Sequence, residues 1–245
     1  MIAWLVIILS VTLRRANTAA IANGILAPNQ AEGGEVKKLG PYELNRVHCV
    51  DALEALPQLP DGCVDAVITD PPYGMKKEAW DNHIPNWMSL VFGKTSIATF
   101  CGVIGMRDYP TPDWIGAWVR QGSTQRNGRL RGFNNWEPIL FYNIPSLLND
   151  VISTPNYHDN LDHPTIKPIK LMIRLCELMS YADIILDPFA GSGTTGVAAV
   201  LLGRQFLGFE ISPEYCEIAN KRIEAARKGL TVKELEAGQQ TLFEP

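Results

Sequence analysis

The stretch DIILDPFAGSGTTGVAAVLLG, residues 183–203, constrains this chain more than any other. An apolar run ends in an acid and a proline, then leads into glycines spaced G-x-G-x-x-G at 191–196. Glycines at that spacing let the backbone turn tightly and approach a ligand closely. They open an apolar helix that stops at Gly203, and the next apolar run, QFLGFEI, ends at Glu210 and Ile211. Strand, glycine loop, helix, strand and acid make one ligand-binding part of a doubly wound parallel sheet. After that acid the sequence has room for little more than one helix, with Ser212 as N-cap and Pro213 at its first position, running to about Lys228. The other strands must therefore come from the N-terminal half. VDAVITD (64–70), TSIATFCG (95–102) and WEPILFYN (136–143) are predicted as strands, and 168–180 as a helix. The expected fold is α/β with a mostly parallel sheet, permuted so that the glycine loop comes late.

TDPPYG, residues 69–74, closes the first of those strands. Each proline fixes its own φ and pushes the residue before it out of the helical region. Asp70 and Pro71 both precede a proline, so the loop leaves the strand extended and stiff. It holds an acceptor, Asp70, and an aromatic face, Tyr73, in a set relation. Ligands of parallel sheets bind at the carboxyl ends of strands, so this loop and the glycine loop are expected to face one crevice. DPF crowds the approach to the glycines, which argues against a nicotinamide dinucleotide despite the fingerprint.

The net charge is −4 and the pI about 5.6, so a polyanionic partner would need a local basic patch. Cys49, Cys63, Cys101, Cys176 and Cys216 are scattered, which speaks against a disulfide framework and a zinc site and for a reducing compartment. Residues 1–40 begin with an apolar run of thirteen residues, short for a membrane span, followed by Arg14 and Arg15. They are expected to be an appendage to a catalytic domain over 41–230, with a small recognition insertion at about 103–135 and a tail at 231–245.

TDPPYG at 69–74, HPTIKP at 163–168, DPFAGSGTTGVAA at 187–199 and FEISPEYCEIANKRI at 209–223 together resemble the amino-group DNA methyltransferases. These methylate exocyclic adenine N6 or cytosine N4 with S-adenosylmethionine. The catalytic loop first and the cofactor loop last is the order of the family's β group, and the compact form resembles phage and prophage enzymes. The resemblance covers roughly 45–225. It implies a permuted Rossmann-like methyltransferase fold, double-stranded DNA as partner, no metal, and the cytoplasm of a bacterial or phage-infected cell. It implies that Asp70 and the Pro71 carbonyl accept hydrogen bonds from the base amine, that Pro72 locks the direction of that carbonyl, and that Tyr73 stacks on the flipped base. It also implies a cofactor site of Asp51, Thr165, Lys167, Asp187, Pro188, Phe189, Gly191, Gly193, Thr194 and Glu210. Glu210 would take the ribose hydroxyls, and Thr165 with Lys167 the methionine carboxylate.

The run RQGSTQRNGRLR, 120–131, carries four arginines and no acid. Arg120, Arg126, Arg129 and Arg131, with Lys76 and Lys77 past the catalytic loop, are the expected DNA contacts. No cysteine follows a proline, so the nucleophile of C5-cytosine methylases is absent. Asp at the first position of the loop favours adenine N6 over cytosine N4. RNA or protein-glutamine methylases, which carry Asn there and the reverse loop order, and an inactive DNA-binding remnant are the alternatives. In the tail, QQTLF resembles peptides that dock on bacterial sliding clamps, with Gln239, Leu242 and Phe243 as anchors.

Overall fold

A computed structural model describes residues 37–73, 86–91, 93, 95–121, 126–127, 132–133, 135–145, 149–155 and 167–230. Lys76, Lys77, Arg129, Arg131, Thr165, Gln239, Leu242 and Phe243 lie outside the described residues, as do 1–36 and 231–245.

Among the described residues, eight strands form one sheet. In chain order its members are β3 (Arg46–Cys49), β4 (Ala66–Thr69), β5 (Ser96–Phe100), β6 (Trp114–Gln121), β9 (Trp136–Tyr142), β10 (Val151–Pro155), β11 (Ile184–Asp187) and β12 (Gln205–Glu210). Two hairpins stand apart, β1 (Lys38–Leu39) with β2 (Tyr42–Glu43), and β7 (Arg126–Asn127) with β8 (Gly132–Phe133). The sheet order is β10-β6-β9-β5-β4-β11-β12-β3, and only β9 runs antiparallel to its neighbours. β4, β11 and β12 are adjacent and parallel although β4 lies far ahead in sequence. That is the permuted, mostly parallel sheet expected.

The central strands read as continuous apolar runs because both sheet faces are covered. Every residue of β4 and β5 is buried. One face packs Ile68, Phe100 and Trp118 beneath α3 (Ile169–Leu178), α4 (Thr194–Leu201) and α5 (Pro213–Arg227). The other packs Val67, Ile97, Leu140 and Phe209 with α1 (Ala52–Ala55), Trp87 and α2 (Met88–Val91). α5 starts as the sequence predicts, with Ser212 Oγ accepting from the Tyr215 N–H at 3.4 Å and Pro213 in the first turn. The exposed edge of β3 is closed by Asn220 of α5, whose carboxamide bonds both the N–H and the C=O of Val47 at 2.9 Å. A side chain thus takes the place of a further strand.

Three strands of the main sheet went unpredicted, and two boundaries shift. β3, β6 and β10 are members of the main sheet. β6 therefore takes 114–121 out of the expected recognition insertion, leaving residues 103–113 and the β7–β8 hairpin, among the described residues, outside the main sheet. Gly116 disguised β6 as loop, yet a Cβ there would meet Phe141 at 2.8 Å and the Asp150 carbonyl at 2.9 Å. It is a close approach within a strand. Lys38–Gly40, assigned to the appendage, belong to the first hairpin, and Leu39 packs on the core. None of the described residues forms a helix long and apolar enough to cross a membrane.

Candidate active site

β4, β11 and β12 deliver three acids to one edge of the sheet. Asp70 follows the last residue of β4, Asp187 ends β11 and Glu210 ends β12. Parallel pairing with short register offsets brings these ends together, so the two loops leave neighbouring strand ends.

Asp70 is held on both oxygens. The Tyr73 hydroxyl donates to Oδ1 at 2.6 Å, and the Lys167 ammonium lies 2.5 Å from Oδ2. Lys167 also pairs with Glu137 of β9 at 3.2 Å, and Glu137 with Arg120 of β6 at 2.8 Å. Phe100, Tyr73 and Trp118 surround the Lys167 nitrogen, with ring centroids at 4.8, 5.7 and 5.7 Å. Burial and the neighbouring Asp70 carboxylate push the Tyr73 phenol well above its usual range, so it stays a donor. Pro71 is buried and Pro72 half-buried, consistent with a rigid loop.

Two expectations change here. Lys167 was assigned to the methionine carboxylate, but its side chain is only 10% exposed and bridges two protein carboxylates. Arg120 was assigned to DNA, but its guanidinium lies against Glu137 and 5.3 Å from the Trp118 ring, with its side chain 10% exposed. The sequence shows the charges of a basic run and not the acid that faces one of them from the neighbouring strand. Glu137 was missed for the same reason. Arg126 lies in the β7–β8 hairpin, away from this cluster's strands.

The glycine loop is tied to the catalytic strand by Asp187. Its Oδ1 accepts from the Thr69 hydroxyl at 2.7 Å and the Phe189 N–H at 3.1 Å, and its Oδ2 accepts from Thr195 at 2.6 Å. Asp187 is thus a brace between β4 and α4 rather than a free ligand group. Burial raises its pKa to about 6, with the bonds from Thr195, Thr69 and Phe189 holding it back in part. The folded chain therefore binds this proton more tightly than the unfolded chain does. Stability from this group is greatest below about pH 4 and declines until about pH 6, by about 3 kcal/mol for a shift of two units. Asp187→Asn keeps the shape without the titration. Its melting temperature relative to wild type is expected to rise by several degrees between pH 4 and 7, at about 2–4 °C per kcal/mol. A difference independent of pH would rule out this titration.

Glu210 accepts from the N–H groups of Gly191 (2.9 Å) and Ser212 (2.8 Å), and a carboxylate with about four acceptor sites keeps capacity for a further donor. Burial raises its pKa against those bonds. Gly191 has φ +50°, and a Cβ there would meet nothing within 4 Å. Gly193 differs. It has φ +79°, and a Cβ would lie 2.7 Å from the Ala219 Cβ of α5. It serves helix packing rather than ligand approach. Thr194 was assigned to the cofactor, but it is buried and its hydroxyl is 3.2 Å from Arg222 Nη1, which also takes the Ser192 carbonyl at 2.6 Å. Arg222 was not singled out in the sequence. Pro188 is buried, Phe189 packs edge-on against Trp87 at 6.0 Å, and Asp51 caps α1 by accepting from the Leu53 N–H at 2.8 Å. No group of three or more His, Cys, Asp or Glu suited to a metal occurs among the described residues.

A family model described as a DNA methylase of the N6/N4 type matches residues 146–221, which span β10 to α5. The chain is 47% identical over 66 residues to the DNA adenine methyltransferase YhdJ of Escherichia coli (strain K12), 26% of this chain and 22% of that protein. It is similar to the crystal structure of the M1.HpyAVI–SAM complex at 25% identity and a TM-score of 0.55, covering 72% of this chain and 98% of that one. PvuII DNA methyltransferase, described as cytosine-N4-specific, is similar at 18% identity and a TM-score of 0.56, over 79% and 93% of the two chains. At that identity the likeness speaks for the fold alone. The permuted sheet, the paired loops at its carboxyl edge and the family match over the glycine loop agree in likening this chain to the amino-group (N6/N4) DNA methylases.

Proposed function

We propose that this protein transfers a methyl group from S-adenosylmethionine to the exocyclic N6 of adenine in double-stranded DNA, by direct attack of a flipped base. The observation that carries the reading is Asp70. It is fixed at the end of β4 by Tyr73 and Lys167, beside the end of β11 and the glycine loop.

The residues present fit the cofactor. Glu210 has acceptor capacity for a ribose diol, and Gly191 leaves open space beside it. Asp51 at the end of β3 and Phe189 at the end of β11 flank the same sheet edge. Bound S-adenosylmethionine would supply an electrophilic methyl group.

The protein's task is to make a poor nucleophile act. The lone pair of an exocyclic amine is delocalised into its ring. Two acceptors for its N–H groups, the Asp70 carboxylate and the Pro71 carbonyl, draw the nitrogen toward tetrahedral geometry and aim the lone pair outward. Asp70 already accepts from Tyr73 and Lys167, but a carboxylate has about four acceptor sites, so capacity for an amine remains. Tyr73 is held by its hydroxyl with Lys167 5.7 Å from its ring centroid, and its ring is the aromatic surface assigned to stacking the base.

Adenine is favoured over cytosine by the acid at the head of the loop and by the likeness to an adenine methyltransferase over 66 residues. The test is transfer of labelled methyl groups to DNA, RNA and protein in parallel, followed by nucleoside analysis of the DNA. N6-methyladenine is expected. N4-methylcytosine alone would overturn the choice of base, and label only in RNA or protein would overturn the DNA reading.

A further inference from the structure

Lys167 sits immediately before α3, anchored by Pro168 and by a helix whose Leu171, Met172, Leu175 and Cys176 are buried. Its ammonium has three donors. One points to Asp70 at 2.5 Å, Glu137 pairs with the ammonium at 3.2 Å, and three aromatic rings close the remaining side. Within the cluster, Asp70 and Glu137 balance Lys167 and Arg120, so four buried or half-buried charges sum to zero. An ammonium held this way is already committed to protein carboxylates. Withdrawing it toward a ligand would leave Glu137, itself 14% exposed, without that partner.

We propose that Lys167 is a positioning residue for methyl transfer: its ammonium, neutralised from behind by Glu137, holds Asp70 in the orientation that accepts the amine N–H of the target base. This rests on the assignment of Asp70 to the base amine. Burial disfavours the lysine's charge, but Asp70 and Glu137 outweigh it and raise its pKa. Lys167 therefore stays a cation and takes no proton from the base. Its cation lies beside Oδ2 of Asp70, and Tyr73 fixes the other oxygen. Glu137 keeps the cation from opposing the positive charge that develops on the attacking nitrogen. Three segments far apart in sequence, around Asp70, Glu137 and Lys167, thus set one acceptor.

Lys167→Met is expected to lower kcat about 100-fold at saturating DNA and cofactor, the scale of a misplaced catalytic group. KM for DNA and the cofactor dissociation constant by calorimetry should stay within about threefold, because neither ligand is bound by this ammonium. Lys167→Arg keeps the charge and should retain activity within about tenfold of wild type. The Lys167→Met, Glu137→Gln double variant removes one charge of each sign; it guards against a failure to fold and should be as slow as Lys167→Met. A normal kcat in either methionine variant overturns the proposal. So does a loss confined to cofactor affinity, which would return Lys167 to the methionine carboxylate. A wild-type protein that methylates no DNA would instead overturn the Asp70 assignment, and the proposal with it.

Discussion

Asp70→Ala is expected to reduce methyl transfer to DNA about 100- to 1,000-fold, the cost of losing one preorganised polar group that acts on the reacting centre. Cofactor affinity should change little, because Asp70 bonds Tyr73 and Lys167 and not the glycine loop. The same change strips the buried Lys167 of one of its two carboxylates. Breaking a buried pair costs about 3–5 kcal/mol when nothing replaces the partner. Glu137 remains 3.2 Å away, so the expected loss lies at or below the lower end of that range. Asp70→Asn separates the two effects. It keeps an acceptor for one donor and the side-chain volume, so it should cost less stability than alanine while transfer is still lost. Activity above a few per cent of wild type in a well-folded alanine variant would show that Asp70 is not the acceptor for the base amine.

The sequence was legible where chemistry and structure are set by neighbours along the chain. The stiffness of TDPPYG, the glycine loop, the Ser212 cap and the order of the loops all follow from local spacing. So does the permuted sheet, because the strand that ends in TDPPYG lies ahead of the strand that ends in the glycine loop. What the sequence hid are partners brought close by folding. Lys167 meets Asp70 across 97 positions, Asn220 closes the edge at Val47 across 173, and Arg222 reaches Ser192 across 30. A lysine in HPTIKP looks the same whether it faces a ligand or a buried acid. Arg120 reads as the first residue of a basic loop, yet it is the last turn of a strand whose neighbour carries Glu137. β6 was hidden by Gly116, whose missing side chain is a packing requirement across to Asp150 and invisible to periodicity.

The glycine loop carries the second large prediction, and it corrects the reading that every glycine there makes room for the cofactor. Gly193→Val should unfold the domain far more readily than wild type. A non-glycine residue in the left-handed region costs about 1–2 kcal/mol, and more for a β-branched side chain. The new Cβ would stand 2.7 Å from the Ala219 Cβ and 3.0 Å from its Cα, and the latter is backbone of α5 that cannot rotate away. Overpacking of this kind adds about 1–3 kcal/mol. Together the two terms predict a melting temperature lower by about 10 °C for a domain of this size. Gly193→Ala with Ala219→Gly removes the 2.7 Å contact but not the 3.0 Å one, so it should recover part of the loss relative to Gly193→Ala alone. Gly191→Ala is the counterpart. Its φ is +50° and its Cβ would meet nothing, so it should cost only about 1 kcal/mol. Its effect should fall instead on cofactor affinity, because the added methyl stands in the open space beside the Glu210 carboxylate. Thermal melts and cofactor titrations of the two alanine variants read these outcomes separately. A Gly193→Val protein as stable as wild type, with only its cofactor affinity lost, would mean that α4 and α5 do not pack as closely as Gly193 and Ala219 require.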